Sequence, residues 1–252
     1  MKDHISKLKK QNGEDYSNGA KNVVIEVYDK FCHTNQIPFD KIRYDYQPPI
    51  PLIPTTENVK KIISATTEKY TTIFTILAET GLEAKELERL SRKQIDTEQG
   101  IISVVGCKHH ANGTYKLKTT TANMLRRYLA KNTEEHPFPT SKVMGTVWRN
   151  TRDRVAKNLC QPELKKIPMK NLRNYSGAQL YHKLPDPIAV MRHLRHKKLD
   201  TTMHYLRGIT TGEEQEFICK TAQTLKEATE LIEAGFTYVT EIEETKLFRK
   251  LK

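Results

Sequence analysis

Four side chains between Lys170 and Tyr205 are of the types that phosphate chemistry needs. Lys170 and Arg173 are cations three residues apart, His196 follows, and Tyr205 comes nine residues after the histidine. Cations hold a phosphodiester, an imidazole moves a proton, and a phenol oxygen can attack phosphorus. Residue type and spacing alone leave a second reading open, in which the stretch is two amphipathic helices with solvated charges.

The elements that must position these groups follow from hydrophobic period and from breakers. Residues 1–18 are polar and unpatterned and read as a loose arm. Val23, Val24, Val27, Tyr28 and Phe31 recur at helical spacing, which predicts a helix over Asn22–Cys32. Four prolines between Tyr44 and Pro54 impose extended backbone and predict a linker over 46–54. Thr55 or Thr56 reads as an N-cap, followed by two buried helices carrying Ile62, Ile63, Tyr70, Ile73, Phe74, Ile76 and Leu77. Thr80-Gly81 breaks the second of them, and Glu83–Leu90 reads as the next helix. Ile101–Val105 and Thr114–Lys118 read as strands joined by a loop containing Asn112-Gly113. Helices are expected over Thr120–Lys131, Val143–Leu159, Met169–Lys183, Ile188–His193 and Thr201–Leu206, and residues 217–250 read strand, helix, strand, strand. The total is a mainly α chain with a small β-sheet, of the α+β class.

Charge points to a partner. The 252 residues carry a formal net charge of +12. Residues 213–252 hold six Lys and Arg against nine Glu, so the positive excess lies upstream. Its densest block is Lys142–Arg173, with nine Lys and Arg against Asp153 and Glu163. Such a surface is the electrostatic footprint of a nucleic-acid binder. Arg149, Arg152 and Lys157 can share one helical face turned to DNA, and Arg195 and Lys197 add charge on either side of His196. No apolar run is long enough for a transmembrane helix, and the basic N-terminus has no apolar core after it that would make a signal peptide. Cys32, Cys107, Cys160 and Cys219 stand far apart, so neither a zinc site nor a redox pair is suggested, and a reducing cytoplasm is the expected compartment.

The order of the boxes resembles the tyrosine recombinase (integrase) family, in particular its archaeal branch. Lys170-Asn-Leu-Arg173 is similar to the family's His-x-x-Arg, with lysine for histidine. Leu194-Arg-His196 is similar to Leu-Gly-His, with arginine for glycine, and Thr201-Thr-Met-His-Tyr205 matches Thr-Thr-x-x-Tyr. Glu79-Thr-Gly-Leu-Glu-Ala-Lys-Glu-Leu87 resembles the Thr-Gly-Leu-Arg-x-x-Glu-Leu box, and residues 224–250 are similar to the C-terminal extension of archaeal members.

That resemblance implies a catalytic domain over 55–212, with residues 1–45 as an arm and a partial helical core-binding domain before it, and a small α/β extension over 213–252. It implies that Tyr205 attacks a DNA phosphodiester to form a 3′-phosphotyrosyl link, which a second 5′-hydroxyl reverses. Arg173 would grip the phosphate, and Lys170 or His196 would share proton transfer and phosphate contact. A lysine on the hairpin, best matched by Lys108 with Lys116 and Lys118 as competitors, would protonate the leaving oxygen. No cofactor and no metal is implied. The implied partners are double-stranded DNA and further copies of the chain, assembled as a tetramer on DNA, with no membrane. One departure stands out: Glu83 occupies the position of the family's first catalytic arginine. A carboxylate there adds like charge beside the phosphate, so a DNA-binding relative that has lost catalysis is the alternative. A relaxer of the type IB topoisomerase kind would share the chemistry.

Overall fold

The proline-rich stretch is where the chain divides. The computed structural model describes residues 5, 7–106, 110–207, 209, 217–242 and 245–251, and separates into two units, Met1–Pro51 and Leu52–Lys252.

In the first unit, helix α1 (Asn18–Thr34) starts where Ser17 Oγ accepts the Ala20 N–H, at 3.3 Å. The helix is longer at both ends than its apolar residues suggest. It buries Ile25 and Cys32, whereas Val23, Val27 and Phe31 stay exposed. Asn22 clasps the Tyr44 backbone, donating to its carbonyl and accepting from its N–H, both at 2.9 Å. The arm is not shapeless among its described residues, since Lys9 pairs with Asp15 in an antiparallel bridge and Ile5 is buried.

The second unit begins with α2 (Thr56–Ser64), capped by the Thr55 hydroxyl. Helix α3 (Glu68–Thr80) follows and ends at Gly81, whose φ of 67° is left-handed. A Cβ at Gly81 would lie 2.8 Å from Leu194, so glycine is required by both conformation and space. The short α4 (Ala84–Glu88) leads to an antiparallel sheet of β1 (Ile95–Asp96), β2 (Ile101–Val104) and β3 (Gly113–Lys116), in that order. Ile102 faces Tyr115 across the β2–β3 ladder and both turn into the core. Helices α5 (Thr119–Ala130), α6 (Ser141–Asn158), α7 (Asn171–Lys183), α8 (Pro187–Leu194) and α9 (Leu199–Leu206) complete this part.

Its core is built around Phe74 of α3 and Trp148 of α6, which meet edge to face at 5.0 Å. Burying side chains of this size contributes roughly 2–3 kcal/mol each. The Trp148 indole N–H donates to the Ile167 carbonyl at 2.9 Å, so its polar end is satisfied and the chain leading into α7 is fixed to α6. The remaining strands, β4 (Phe217–Ala222), β5 (Thr237–Ile242) and β6 (Thr245–Leu251), form an antiparallel sheet of order β4-β6-β5, covered by α10 (Leu225–Glu233). It has its own small core of Ala222, Ala228, Phe236 and Phe248. The molecule is mainly α with small antiparallel sheets, as its sequence periods predict.

Candidate active site

Arg173 is the structural centre of the site. It lies in α7 and is buried. Its Nη1 donates to the Gly81 carbonyl at 2.6 Å, and its Nη2 donates to the Leu194 carbonyl. Both acceptors stand at helix C-termini, those of α3 and α8, where orphan carbonyls and the helix dipole favour a cation. One guanidinium therefore ties three helices together. Nη2 also lies 3.4 Å from His110 Nε2. The two carbonyls account for two of the five N–H donors of a guanidinium. Burial draws its pKa down, opposed by the negative charge of Glu86.

His196 and Tyr205 come together beside it. His196 is buried, and its Nδ1 lies 2.9 Å from the Thr202 hydroxyl of α9. That contact fixes the ring, which stacks on the half-buried Tyr205 with centroids 5.3 Å apart and planes 23° from parallel. Burial, then the Arg173 charge, lowers the His196 pKa to about 4, so the ring is neutral near neutral pH. His193, in the last turn of α8, is lowered to about 4 by burial and then by the charges of Arg173 and Arg195. Its Nε2 lies 2.8 Å from Ser176 Oγ, and its carbonyl accepts the Tyr115 hydroxyl at 2.7 Å.

A second charged cluster adjoins Arg173, and the sequence reading does not contain it. Glu86 of α4 is fully buried and is held by Arg195 Nη2 at 2.5 Å, by the Glu83 backbone N–H at 2.9 Å and by His110 Nδ1 at 3.0 Å. Burial pushes its carboxyl up, but the Glu83 N–H, the Arg195 charge and His110 outweigh burial and hold it below the usual range. Arg195 also donates through Nε to the Tyr115 hydroxyl at 2.9 Å and through Nη1 to the Ala111 carbonyl at 3.0 Å. His110 Nε2 lies 3.7 Å from Glu83 Oε1, and the His110 and His196 rings are 6.4 Å apart.

The other expected site residues are scattered in their fates. Arg195 does not face outward as a DNA contact: it is 4% exposed, caps α8 with a left-handed φ of 56°, and commits its guanidinium to Glu86. Arg152 is not an available surface cation either. Its guanidinium binds Asp153 at 2.8 and 2.9 Å and reaches the Ile167 carbonyl at 3.4 Å. Arg149 and Lys157 are exposed on α6, Lys197 is exposed after His196, and Lys170 is exposed at the start of α7. Lys108 lies outside the described residues. Glu83 is the N-cap residue of α4, and its carboxylate sits at the edge of the site beside His110. Among the described residues, no group of three or more His, Cys, Asp and Glu side chains is placed to hold a metal ion, and no helix is long and apolar enough to cross a membrane.

The fold is shared with solved recombinase structures. The crystal structure of XerA recombinase aligns with a TM-score of 0.54 at 17% identity, covering 81% of this chain and 76% of that one. A lambda integrase dimer bound to a COC′ core site aligns with a TM-score of 0.62 at 12% identity, covering 79% and 77%. The chain belongs to the phage integrase family, which its residues 54–210 match. Two similar relatives come from archaea. It is 26% identical over 176 residues to the probable integrase/recombinase protein MJ0367 of Methanocaldococcus jannaschii, covering 64% of this chain but only 53% of that protein's length. It is 26% identical over 245 residues to the tyrosine recombinase XerA of Pyrococcus furiosus, covering 91% of this chain and 79% of that protein.

Proposed function

We propose that the chain is a site-specific DNA recombinase or integrase that cuts and rejoins double-stranded DNA through a 3′-phosphotyrosyl intermediate. The observation that carries this reading is the convergence of a buried arginine, a neutral histidine and a half-buried tyrosine, with His196 stacked on Tyr205 at 5.3 Å beside Arg173. Tyr205 is the nucleophile. Arg173 stabilises charge on the non-bridging oxygens with the donors its helix-end contacts leave over. His196, neutral and oriented by Thr202, contacts the phosphate or accepts a proton. Lys170, exposed at the start of α7, adds positive charge, and Lys108 on the β2–β3 connection is the resemblance-based candidate for protonating the leaving oxygen. Exposed Arg149, Lys157 and Lys197 bind the DNA backbone. The reaction conserves phosphodiester energy in the protein–DNA bond, and the chain acts without a cofactor, as a tetramer on DNA, in the cytoplasm.

The test is covalent capture. Incubated with a pool of nicked duplexes of randomised sequence, the protein is expected to give an SDS-resistant adduct that Tyr205→Phe abolishes while gel-shift binding remains. A second reading is favoured by one observation, the Glu83 carboxylate at the edge of the site. In that reading the chain binds DNA without cutting it. Binding with no adduct, unrestored by Glu83→Arg, would leave only this second reading, and absence of DNA binding would sink both.

A further inference from the structure

The Glu86–His110 pair is a histidine oriented by a buried carboxylate, with its other nitrogen turned toward the cation at the centre of the site. This is the arrangement by which proteins prepare a proton-transfer group. Glu86 Oε1 lies 3.0 Å from His110 Nδ1, which leaves Nε2 at 3.4 Å from Arg173 Nη2. Glu86 is itself fixed by Arg195, which also holds the Ala111 carbonyl and thereby the chain next to His110. Arg195 adopts a left-handed conformation to do so, at a cost on the order of 1 kcal/mol for a residue with a Cβ. Gly113 leaves the room, since a Cβ there would lie 2.6 Å from the Arg195 side chain.

We propose that His110 is a further catalytic residue, the proton donor to the departing 5′-oxygen, with Glu86 and Arg195 as its positioning residues and Glu83 as the carboxylate that faces its Nε2. This rests on the strand-transfer reading above. Two observations and one chemical constraint assign it to the leaving group rather than to the nucleophile. Tyr205 already has His196 against its ring, at 5.3 Å. His110 stands 6.4 Å from His196 and in contact with Arg173 instead. An in-line displacement puts the attacking and departing oxygens on opposite sides of phosphorus, so two separate groups must serve them. In the step, the Tyr205 Oη–P bond forms as the P–O5′ bond breaks. The His110 Nε2–H proton passes to O5′, and the phenol proton goes to water. The neutral imidazole is then placed to take the proton back when a 5′-hydroxyl attacks.

Glu83 has a place in this arrangement. Its Oε1 is 3.7 Å from His110 Nε2, so together with Glu86 it brackets the ring with negative charge. His110 therefore stands within 3.7 Å of the side chain at the position where the resemblance calls for an arginine.

The test compares two leaving groups on the duplex recovered by covalent capture, one with the native 5′-oxygen and one with a 5′-bridging sulfur, which departs without a proton. His110→Ala and His110→Gln are expected to slow adduct formation at least about 100-fold on the oxygen substrate, in the range of general acid catalysis. On the sulfur substrate both variants should stay within a few-fold of the unaltered protein. Glu83→Arg should lower the rate on oxygen. Equal loss on both substrates, no loss on oxygen, an oxygen-specific loss confined to Lys108→Ala, or a gain with Glu83→Arg would each overturn the His110 assignment alone. If the unaltered protein forms no adduct with either substrate, the strand-transfer reading fails and takes this assignment with it.

Discussion

Glu86 and Arg195 are a buried ion pair at 2.5 Å with fully and almost fully enclosed side chains. Such pairs contribute little net stability over apolar residues of the same shape, but removing one partner leaves a charge without water or counterion and costs about 3–5 kcal/mol. Arg195→Gly makes the point sharply. It relieves a φ of 56° that glycine tolerates, which favours the variant by about 1 kcal/mol. It also removes the guanidinium from buried Glu86, which keeps the Glu83 N–H and His110. The expected outcome is a net loss of roughly 2–4 kcal/mol in urea unfolding. Glu86→Gln in the same chain should recover part of it, because the amide can be buried neutral. A glycine variant as stable as the parent would show that the pair is not formed. Arg173→Lys is expected to act differently. An ammonium cannot reach two carbonyls in a planar fork, so one helix end is released and the adduct rate should fall by about 10³-fold, as for loss of an arginine at a transferring phosphoryl group. Unchanged adduct formation by Arg173→Lys would remove Arg173 from the chemistry.

At the scale of elements, α8 delivers Leu194 to Arg173, its last turn carries His193, and His196 follows its cap, both histidines lowered to about 4 by burial and by Arg173. The unfolded histidines titrate near their ordinary 6.5. Because the folded values are depressed, the unfolded chain binds more protons below that pH. The stability they carry is fully present above about pH 6.5 and is lost as pH falls toward 4, by up to roughly 3 kcal/mol for each ring. Thermal unfolding followed from pH 7 to pH 5 should show the melting temperature falling before carboxylates titrate, and His193→Gln should flatten the fall. A melting temperature flat over that range would contradict the burial of these rings. The elements themselves were legible: apolar periods and the Thr80-Gly81 and proline breaks locate α2 to α9 within a few residues. The second cluster was not. Nothing local in Leu194-Arg-His196 says that its arginine turns inward, because the reason is Glu86, 109 residues away in sequence. His110 lies in a loop without period, and its role depends on the same buried carboxylate. Arg152 shows a related limit, since helical spacing gives the face of a residue but not the neighbour, Asp153, that engages it.

Over the whole molecule, the charge of +12 is unevenly placed, with the acidic C-terminal segment set against a basic remainder. A DNA-binding surface made of phosphate contacts has a measurable signature. Each contact releases condensed counterions, so log K falls with log salt with a slope of about −0.9 per phosphate neutralised. Exposure now separates the cations that spacing alone grouped together. Arg149, Lys157 and Lys197 are exposed. Arg152 is held by Asp153 and the Ile167 carbonyl, and Arg195 by Glu86. Alanine at each of the first three is expected to reduce the magnitude of the slope by about 1 and to weaken binding similarly across sequences. Arg152→Ala is expected to leave the slope unchanged and to lower stability instead, because its guanidinium braces the junction between α6 and the segment entering α7. Gel-shift titrations across a salt series, with unfolding midpoints measured on the same variants, separate the two effects. If Arg152→Ala changes the salt slope as much as Arg149→Ala does, its pairing with Asp153 gives way to DNA on binding, and the face of α6 is a single continuous contact.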